Sequence, residues 1–274
     1  MAFLAVPQPY DFALSTYRFQ VYGSDRATAW HEGALHRVVS GAVVRIAAAP
    51  GGVDVEPLDA ETEPVVRHLL GLVLDTDGFW TASRRDPVVA GLQPALRGFR
   101  PPLAPDPWEA LVTSICAQQV SLHAAFAIRA RLVERHGDPY GTVWAFPGRD
   151  RVAALAERDL VELGFSRRKA EYVLGLARCG LDLDALGSLP DEEVIERLTG
   201  IRGLGRWTAE WFLARSLGRP DAWPAGDLGL RRAVERLYGE GPMTEADVRA
   251  LGDRFAGRRT VAAQVLLAGA RAAA

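Results

Sequence analysis

The spacing of apolar residues divides the chain into a mixed first part and a helical second part. In residues 1–100, apolar and polar positions alternate over several short stretches, as they do in half-buried strands. The predicted strands are Ser15–Tyr22, two runs within Trp30–Ile46 with turns at Gly33 and at Ser40 and Gly41, and Val53–Leu58. Glu63–Leu74 instead has apolar residues at helical spacing. The pattern predicts a small antiparallel sheet with covering helices.

A proline-rich stretch, Arg100–Pro107, separates this part from the remainder of the chain. Asp106 is placed to cap a helix that begins at Pro107, with Glu109 as its capping-box partner. Apolar stripes of helical spacing then predict Trp108–Val120, Leu122–His136, Arg151–Leu163, Arg167–Cys179, Asp191–Leu198, Arg206–Leu217, Leu228–Tyr238, Thr244–Phe255 and Thr260–Arg271. The predicted fold class is α+β, with a mixed N-terminal domain over residues 1–100 and an all-helical domain over 101–274.

Composition predicts an ordinary folded protein and does not by itself indicate a nucleic-acid partner. Hydrophobic residues make up 49% of the 274 residues, and the formal net charge is −2. Lys169 is the only lysine, so almost all basic residues are arginines. The first residues lack the pattern of a signal peptide, and no apolar run is long enough to span a membrane. We expect an intracellular, cytoplasmic protein.

The cysteines and histidines do not form the sets that hold metal ions. Cys116 and Cys179 lie far apart in apolar helical contexts, and His31 and His36 are the nearest pair among five histidines. We therefore expect neither a structural zinc site nor an iron–sulfur cluster.

The most distinctive stretch is Leu198–Ala209, which predicts two helices joined by a glycine-rich turn. This helix–hairpin–helix is expected over about residues 191–217. Gly203 and Gly205 would supply backbone angles that other residues adopt at a cost. Backbone amides of the two glycines and of Trp207 would then face outward at a helix N-terminus, where anions bind. The pattern indicates contact with a DNA backbone, and glycines kept for packing alone are the alternative.

Two tryptophans and one carboxylate accompany this turn. Trp207 and Trp211 share a helix face, where they can pack in the core or offer a ring on which an extruded base stacks. Asp227 precedes a predicted helix and can serve as its N-cap. The amides and dipole of that helix would keep the carboxylate ionised, and the charge could stabilise a positive sugar. We interpret Asp227 as catalytic because its spacing from the turn is more specific than capping requires.

With these motifs, the sequence resembles the helix–hairpin–helix DNA glycosylases, in particular the bacterial 3-methyladenine DNA glycosylase II type. The resemblance runs from about Pro9 to about residue 271, with its strongest motifs in Ile115–Ser121, Gly203–Ala209 and Pro224–Leu228. It implies a sheet-containing N-terminal domain, a helical glycosylase core, and hydrolysis of the N-glycosidic bond of a flipped-out base. The implied partner is double-stranded DNA with alkylated bases, bound by a monomeric, nucleoid-associated enzyme.

The resemblance also implies roles for single residues. Asp227 matches the catalytic aspartate. Trp207 matches the position where lyase-competent relatives carry a nucleophilic lysine, so a monofunctional enzyme that leaves an abasic site is implied. The expected DNA contacts are Gln119, which would fill the gap left by the flipped base, and the hairpin residues Gly203, Gly205, Arg206 and Thr208.

The resemblance further implies a monovalent cation, held by the backbone carbonyls of Thr199, Ile201 and Leu204, and no required cofactor. Tyr17 and Phe19 are expected to line the base pocket together with Trp207 and Trp211.

The sequence departs from the family in two ways. Arg18 stands where an aromatic residue can line the pocket, and the last helix lacks the aromatics that relatives often carry. These departures concern which damaged bases enter the pocket, not the reaction.

The residues leave three other functions open. A bifunctional glycosylase/lyase would cleave abasic DNA, although Trp207 disfavours it. A non-catalytic DNA-binding protein could retain the hairpin and use Asp227 only as a cap. A helical scaffold without a nucleic-acid role would show no salt-dependent binding to DNA.

Overall fold

A computed structural model describes residues 2–23, 25–239 and 241–272 and confirms the α+β class. The strands are β1 (Ala2–Ala5), β2 (Thr28–His31), β3 (Ala34–Val39), β4 (Ala42–Ala49), β5 (Gly52–Glu56), β6 (Asp138–Tyr140) and β7 (Val143–Ala145). The helices are α1 (Phe12–Thr16), α2 (Arg18–Val21), α3 (Thr62–Leu69), α4 (Thr76–Ala82), α5 (Pro87–Leu92), α6 (Pro107–Ala117), α7 (Leu122–His136), α8 (Arg149–Ala153), α9 (Glu157–Glu162), α10 (Arg167–Arg178), α11 (Asp191–Thr199), α12 (Arg206–Arg215), α13 (Leu228–Tyr238), α14 (Glu245–Gly252) and α15 (Arg259–Ala272). None of these described helices is both long and apolar enough to cross a membrane.

The N-terminal sheet is antiparallel, with the strand order β1-β5-β4-β3-β2. Two-residue turns join β2 to β3 and β3 to β4, as the sequence predicted. Both residues of each turn have positive φ: 47° at Glu32 and 73° at Gly33, then 47° at Ser40 and 77° at Gly41. Turns of this type match the right-handed twist of the strands that they join. The sheet buries one face against α3 and the two short N-terminal helices.

The strand predicted over Ser15–Tyr22 is wrong, because this stretch lies in α1 and α2. The carboxylate of Asp11 caps α1 by accepting the backbone N–H of Leu14 at 2.8 Å. Phe12 and Phe19 are buried with the sheet core, at a spacing of two helical turns. The aromatic residues suggested a strand, but the helix cap and the burial of this face determine the structure.

The prediction that every element after residue 107 is helical is also incomplete. Strands β6 and β7 form an antiparallel hairpin, and the N–H of Trp144 donates to a backbone carbonyl of the N-terminal part at 2.8 Å. The helix predicted over Arg151–Leu163 is interrupted, giving α8 and α9. Ala156 takes an extended conformation, and its N–H donates to Asp159 at 2.8 Å, so a new helix begins there.

The buried apolar side chains of the described residues form three cores. One lies under the N-terminal sheet, and one lies among helices α6, α7 and α10–α12. The third joins residues 74–103 to residues 223–268. Helices α4 and α5 therefore pack on the C-terminal helices α13–α15, although they precede residue 100.

A buried network of charges joins the sheet to the helical part. Asp106 caps α6 as predicted, accepting the N–H of Glu109 at 2.7 Å, but Glu109 is not a capping-box partner. Its carboxylate instead binds Arg37 of β3 at 2.6 Å and Arg129 of α7 at 2.5 Å. Arg129 also pairs with Asp25. Burial alone would raise the pKa of Glu109, but the two guanidinium groups outweigh it and lower the pKa to about 2.

Candidate active site

The carboxylate of Asp227 accepts three hydrogen bonds from two helices. As the N-cap of α13, its Oδ1 accepts the backbone N–H of Leu230 at 2.7 Å. Its Oδ2 accepts the indole Nε1–H of Trp207 at 2.7 Å and that of Trp211 at 3.0 Å. Both carboxylate oxygens are hydrogen-bond acceptors, and the three N–H donors fix the side chain between the two helices. The cap and the candidate catalytic group are therefore the same side chain, held in one orientation.

The local sequence explains why these groups meet. Trp207 and Trp211 lie one turn apart on α12, so both indoles point to the same side. The segment before α13 is tightly turned, with the N–H of Asp227 donating to the carbonyl of Pro224 at 2.9 Å. The indole of Trp223 anchors this segment by donating to the carbonyl of Val248 at 2.8 Å. The start of α13 is thereby held against the first two turns of α12.

One side of the carboxylate has room for a further group. Two donors occupy Oδ2, whereas Oδ1 accepts one hydrogen bond and retains a second acceptor position. A Cβ atom at Gly229 would lie 3.0 Å from Oδ1 and 3.6 Å from the side chain of Leu267. A glycine at this position therefore preserves space next to Oδ1, where a water molecule or a sugar can approach.

The four residues predicted to line the base pocket have different surroundings. Trp207 is half-buried, whereas Trp211 is only 5% exposed. Tyr17 is 47% exposed, and Phe19 is buried in the core of the sheet. The structure brings both tryptophans to Asp227 through their N–H groups; stacking on a base stays a prediction for all four.

Sequence reasoning missed Arg215, the last residue of α12. Its guanidinium carbon lies 3.6 Å from the centre of a Trp211 ring, so a cation covers that ring. Burial, together with the neighbouring charges of Arg18 and Arg271, lowers the pKa of Arg215 to about 9, while Asp227 acts in the opposite direction. The sequence contained a signal for this contact. Arg215 follows Trp211 at the same spacing at which Trp211 follows Trp207, so all three lie on one face of α12.

The hairpin between α11 and α12 uses its two glycines differently. Gly203 has a φ of +94°, and a Cβ there would lie 2.1 Å from the ring of Tyr172. Only glycine fits both restrictions. The prediction that Gly205 also needs a special angle is wrong, because its φ is −100° and its ψ is 176°. A Cβ at Gly205 would meet no atom within 4 Å, so this residue leaves an open surface in front of α12.

Two other predicted DNA contacts of the hairpin have defined surroundings. Arg206 is exposed and pairs with Glu210 at 3.0 Å and with Glu192 at 3.5 Å. Thr208 is 1% exposed, and its buried hydroxyl has no hydrogen-bond partner among the described residues. The hydroxyl is therefore turned away from the surface. The part of Thr208 suited to phosphate is its backbone amide, since amides in the first turn of a helix lack intrahelical partners.

Gln119 follows α6 and lies next to the hairpin. It has a φ of +55°, which is uncommon for a residue other than glycine, and its side chain is exposed. The preceding residue, Gln118, was missed by sequence reasoning; its amide nitrogen donates to the carbonyl of Gly203 at 2.8 Å. This bond ties the strained turn to the hairpin, so Gln119 keeps a defined spacing from the hairpin amides that are predicted to bind phosphate.

The carbonyls proposed for a monovalent cation belong to the end of α11 and to the turn. Thr199 is the last residue of α11, and carbonyls at a helix C-terminus carry partial negative charge. The carbonyl of Ile201 accepts the N–H of Leu204 at 3.0 Å and keeps one acceptor position. The donor set fits a monovalent cation, whose binding stays a prediction. Elsewhere in the described residues, no group of three His, Cys, Asp or Glu side chains is arranged to hold a metal ion.

The single lysine lies in the interior. Lys169 is 8% exposed, and its Nζ donates to the carbonyl of Cys116 at 2.8 Å, joining α10 to α6. Burial lowers its pKa. The amine therefore serves the packing of two helices, while the side chains that reach Asp227 are indoles.

Known proteins are similar to this chain in sequence and in fold. The family model described as HhH-GPD superfamily base excision DNA repair protein matches residues 112–256, more than half of the chain. A DNA-3-methyladenine glycosylase of Bacillus subtilis is 31% identical over 190 residues, which cover 64% of this chain and 61% of that protein. The solved 3-methyladenine DNA-glycosylase of Archaeoglobus fulgidus has a TM-score of 0.88 at 27% identity and covers 97% of both chains.

A DNA complex is among the similar structures. The Schizosaccharomyces pombe 3-methyladenine DNA glycosylase bound to abasic DNA has a TM-score of 0.62 at 29% identity, covering 70% of this chain and 95% of that chain. The matched stretches span 47% and 61% of two Bacillus subtilis relatives, or about half of their length. The family match covers α12, the turn before α13 and Asp227 itself. The chain belongs to the HhH-GPD superfamily of base excision DNA repair proteins.

Proposed function

We propose that this protein is a monofunctional DNA glycosylase, which hydrolyses the N-glycosidic bond of alkylated bases in double-stranded DNA and leaves an abasic site. The observation that carries the proposal is the carboxylate of Asp227, held by three N–H donors with one side of Oδ1 open. The names of the relatives support the same substrate class, since those in Bacillus subtilis and Archaeoglobus fulgidus are 3-methyladenine glycosylases.

Cleavage of the N-glycosidic bond is accelerated by a fixed negative charge close to the sugar. When the bond between C1′ of the sugar and the base nitrogen breaks, its electron pair leaves with the base and C1′ becomes electron-poor. Asp227 stabilises this positive sugar, because its charge is held in place before the reaction. Water then bonds to C1′ through its oxygen and releases one proton to the solvent. An alkylated base that starts as a cation leaves neutral and needs no proton from the enzyme.

DNA would be held by backbone contacts beside this carboxylate. The open surface at Gly205 and the free amides of the first turn of α12 suit a phosphate. Gln119, exposed on its turn, would enter the gap left by the flipped base. We propose that one copy of the chain acts alone, since this arrangement bends DNA around a single cleft.

Among the described residues, no lysine amine lies next to Asp227, which favours hydrolysis over the lyase reaction. A lyase forms a Schiff base with the sugar, which requires a nucleophilic amine. Trp207 stands at the position expected for that amine, and Lys169, the only lysine, is buried against Cys116. Incubation of abasic duplex with the protein should therefore leave the strand intact.

Base release tests the proposal directly. Duplex DNA containing 7-methylguanine is incubated with wild type, with Asp227→Asn, and with Asp75→Asn, which alters another helix cap (Asp75 accepts the N–H of Gly78 at 2.8 Å). Free base is separated by chromatography before any alkali is added. We expect release by wild type and Asp75→Asn, and a loss of about 10³-fold in Asp227→Asn. Equal release by all three proteins would remove Asp227 from the mechanism, and DNA binding without release by wild type would favour a non-catalytic binder.

The hairpin cation is a separate proposal with a small expected effect. Potassium at the carbonyls of Thr199, Ile201 and Leu204 would stiffen the turn that meets the phosphate. We expect DNA binding to be about threefold tighter in potassium chloride than in tetramethylammonium chloride of equal concentration, since matched salt removes the general screening effect. Equal affinity in the two salts would argue against the cation.

A further inference from the structure

Arg215, whose charge is near enough to interact with Asp227, lacks the partners that buried charges normally have. The buried Nε of Arg215 has no hydrogen-bond partner among the described residues, and its guanidinium stacks on the ring of Trp211. Arg18 of α2 is near enough to Arg215 for the two charges to repel. Neither forms an ion pair within the described chain, and Asp227 is the carboxylate that favours the charged form of Arg215. A buried charge without a partner destabilises the folded protein, unless a bound ligand pairs with it.

The Arg215 side chain changes what the cleft offers to a base. The sequence predicted two aromatic faces, which attract a cationic base. In the structure, a guanidinium covers a face of Trp211, so a cation there would meet a like charge. A guanidinium is a donor only, and its natural partner on a base is a carbonyl oxygen or an unprotonated ring nitrogen. The half-buried ring of Trp207 stays suited to stacking with a base of either charge.

The charge of the leaving base then determines for which substrates Arg215 accelerates base release. When an uncharged purine leaves, the electron pair of the C1′–N9 bond places negative charge on the base, until a proton released by the attacking water or taken from solvent neutralises it. A guanidinium close to the base stabilises that charge as it develops. A cationic N-alkylated purine becomes neutral on leaving, so the same guanidinium gives it no such help and repels it on entry.

We infer that Arg215, supported by Arg18, is a specificity residue that favours uncharged purines with a carbonyl oxygen over cationic N-alkylated purines. The inference rests on the proposed glycosylase reaction and extends its substrates from alkylated bases to uncharged purines that carry a carbonyl oxygen. It also gives a physical role to Arg18, which stands at a position where, in the family that the sequence resembles, an aromatic residue can line the pocket. Arg215 is expected to contact the base, while Arg18 is near enough to Arg215 to add to the positive charge there.

Two substrates that differ in charge test this inference. Duplexes of one sequence carry either hypoxanthine, an uncharged purine with a carbonyl group, or 7-methylguanine, which is cationic. Single-turnover rate constants are measured for wild type, Arg215→Met, Arg215→Lys, and Arg67→Met as a control. Arg67 is a partly exposed arginine that pairs with Glu63 on α3. The ratio of the two rate constants is the readout, because it does not depend on the fraction of folded enzyme.

We expect the ratio of hypoxanthine release to 7-methylguanine release to fall roughly tenfold in Arg215→Met, mainly through slower release of hypoxanthine. Arg215→Lys, which retains the charge, should keep most of the ratio, and Arg67→Met should keep all of it. An unchanged ratio in Arg215→Met would overturn the inference, as would a wild type that releases 7-methylguanine but no hypoxanthine. In both cases the proposed glycosylase activity stands; release of neither base by wild type contradicts that activity itself.

Discussion

Two clusters of buried charge in this protein are built in opposite ways. Around Glu109, each charge faces opposite charges: its carboxylate binds Arg37 and Arg129, and Arg129 also binds Asp25. Around Asp227, indole and backbone N–H groups hold the carboxylate, while Arg215 is left without an ion pair in the described chain. The first cluster is satisfied within the protein and joins its two parts. The second keeps unmatched charge beside an open position, which is the arrangement expected where a ligand binds.

The largest expected effect is on stability, from Glu109→Gln in the first cluster. The neutral amide leaves two buried guanidinium groups without their shared carboxylate, and breaking a buried pair in this way costs about 3–5 kcal/mol of unfolding free energy. Base release per folded molecule should stay within about twofold of wild type, because the residue lies outside the site. Chemical denaturation and single-turnover assays would measure the two quantities. A variant that is as stable as wild type but releases base slowly would mean that the Glu109 cluster serves the reaction and does not hold the two parts together.

Acid should weaken the first cluster in a defined pH range. The folded-state pKa of Glu109, about 2, lies below its ordinary value of 4.5. When folding lowers the pKa of a carboxylate, the carboxylate stabilises the fold fully at a pH above its unfolded-state pKa. This contribution is lost as the pH falls through the folded-state pKa. The contribution of Glu109 should therefore decline between about pH 4.5 and pH 2. Unfolding free energies of wild type and Glu109→Gln, measured from pH 6 downwards, should converge in this range; a constant difference would contradict the assignment.

The smallest of these effects is expected from Gly229→Ala. The added methyl group would lie 3.0 Å from Oδ1 of Asp227, on the side left open for water or sugar. Alanine suits a helix better than glycine, so stability should be unchanged or up to about 1 kcal/mol higher. Base release should fall about tenfold because the approach to Oδ1 is narrowed.

Gly175→Ala is the matched control for this change. Gly175 lies within α10, and a Cβ there would meet no atom within 4 Å. The Gly175→Ala variant should gain the same stability from its helix and should release base as fast as wild type. If Gly229→Ala releases base as fast as Gly175→Ala, the open side of Oδ1 is not where the reaction occurs.

Local patterns predicted most helices and the sheet, because a helix cap, a two-residue turn or an apolar stripe is determined by a few neighbouring residues. The capping role of Asp106 and the turns at Gly33 and Gly41 are examples. The strand predicted over Ser15–Tyr22 was wrong because aromatic content does not distinguish a short helix from a strand. The partners of Glu109 could not be predicted, since Arg37 and Arg129 lie in different elements far along the chain.

For the site, the sequence by itself determined that Asp227 is a carboxylate at the N-cap of a helix, that the two tryptophans share a helix face, and that no second lysine exists to act as a nucleophile. These are properties of residue type and local spacing. Only the tertiary structure decided that both indoles donate to Asp227 and that Arg215 covers Trp211. The approach of Arg18 to Arg215 likewise depends on how the N-terminal helices pack on the helical core. These contacts depend on packing between elements, which the spacing along a single helix does not determine.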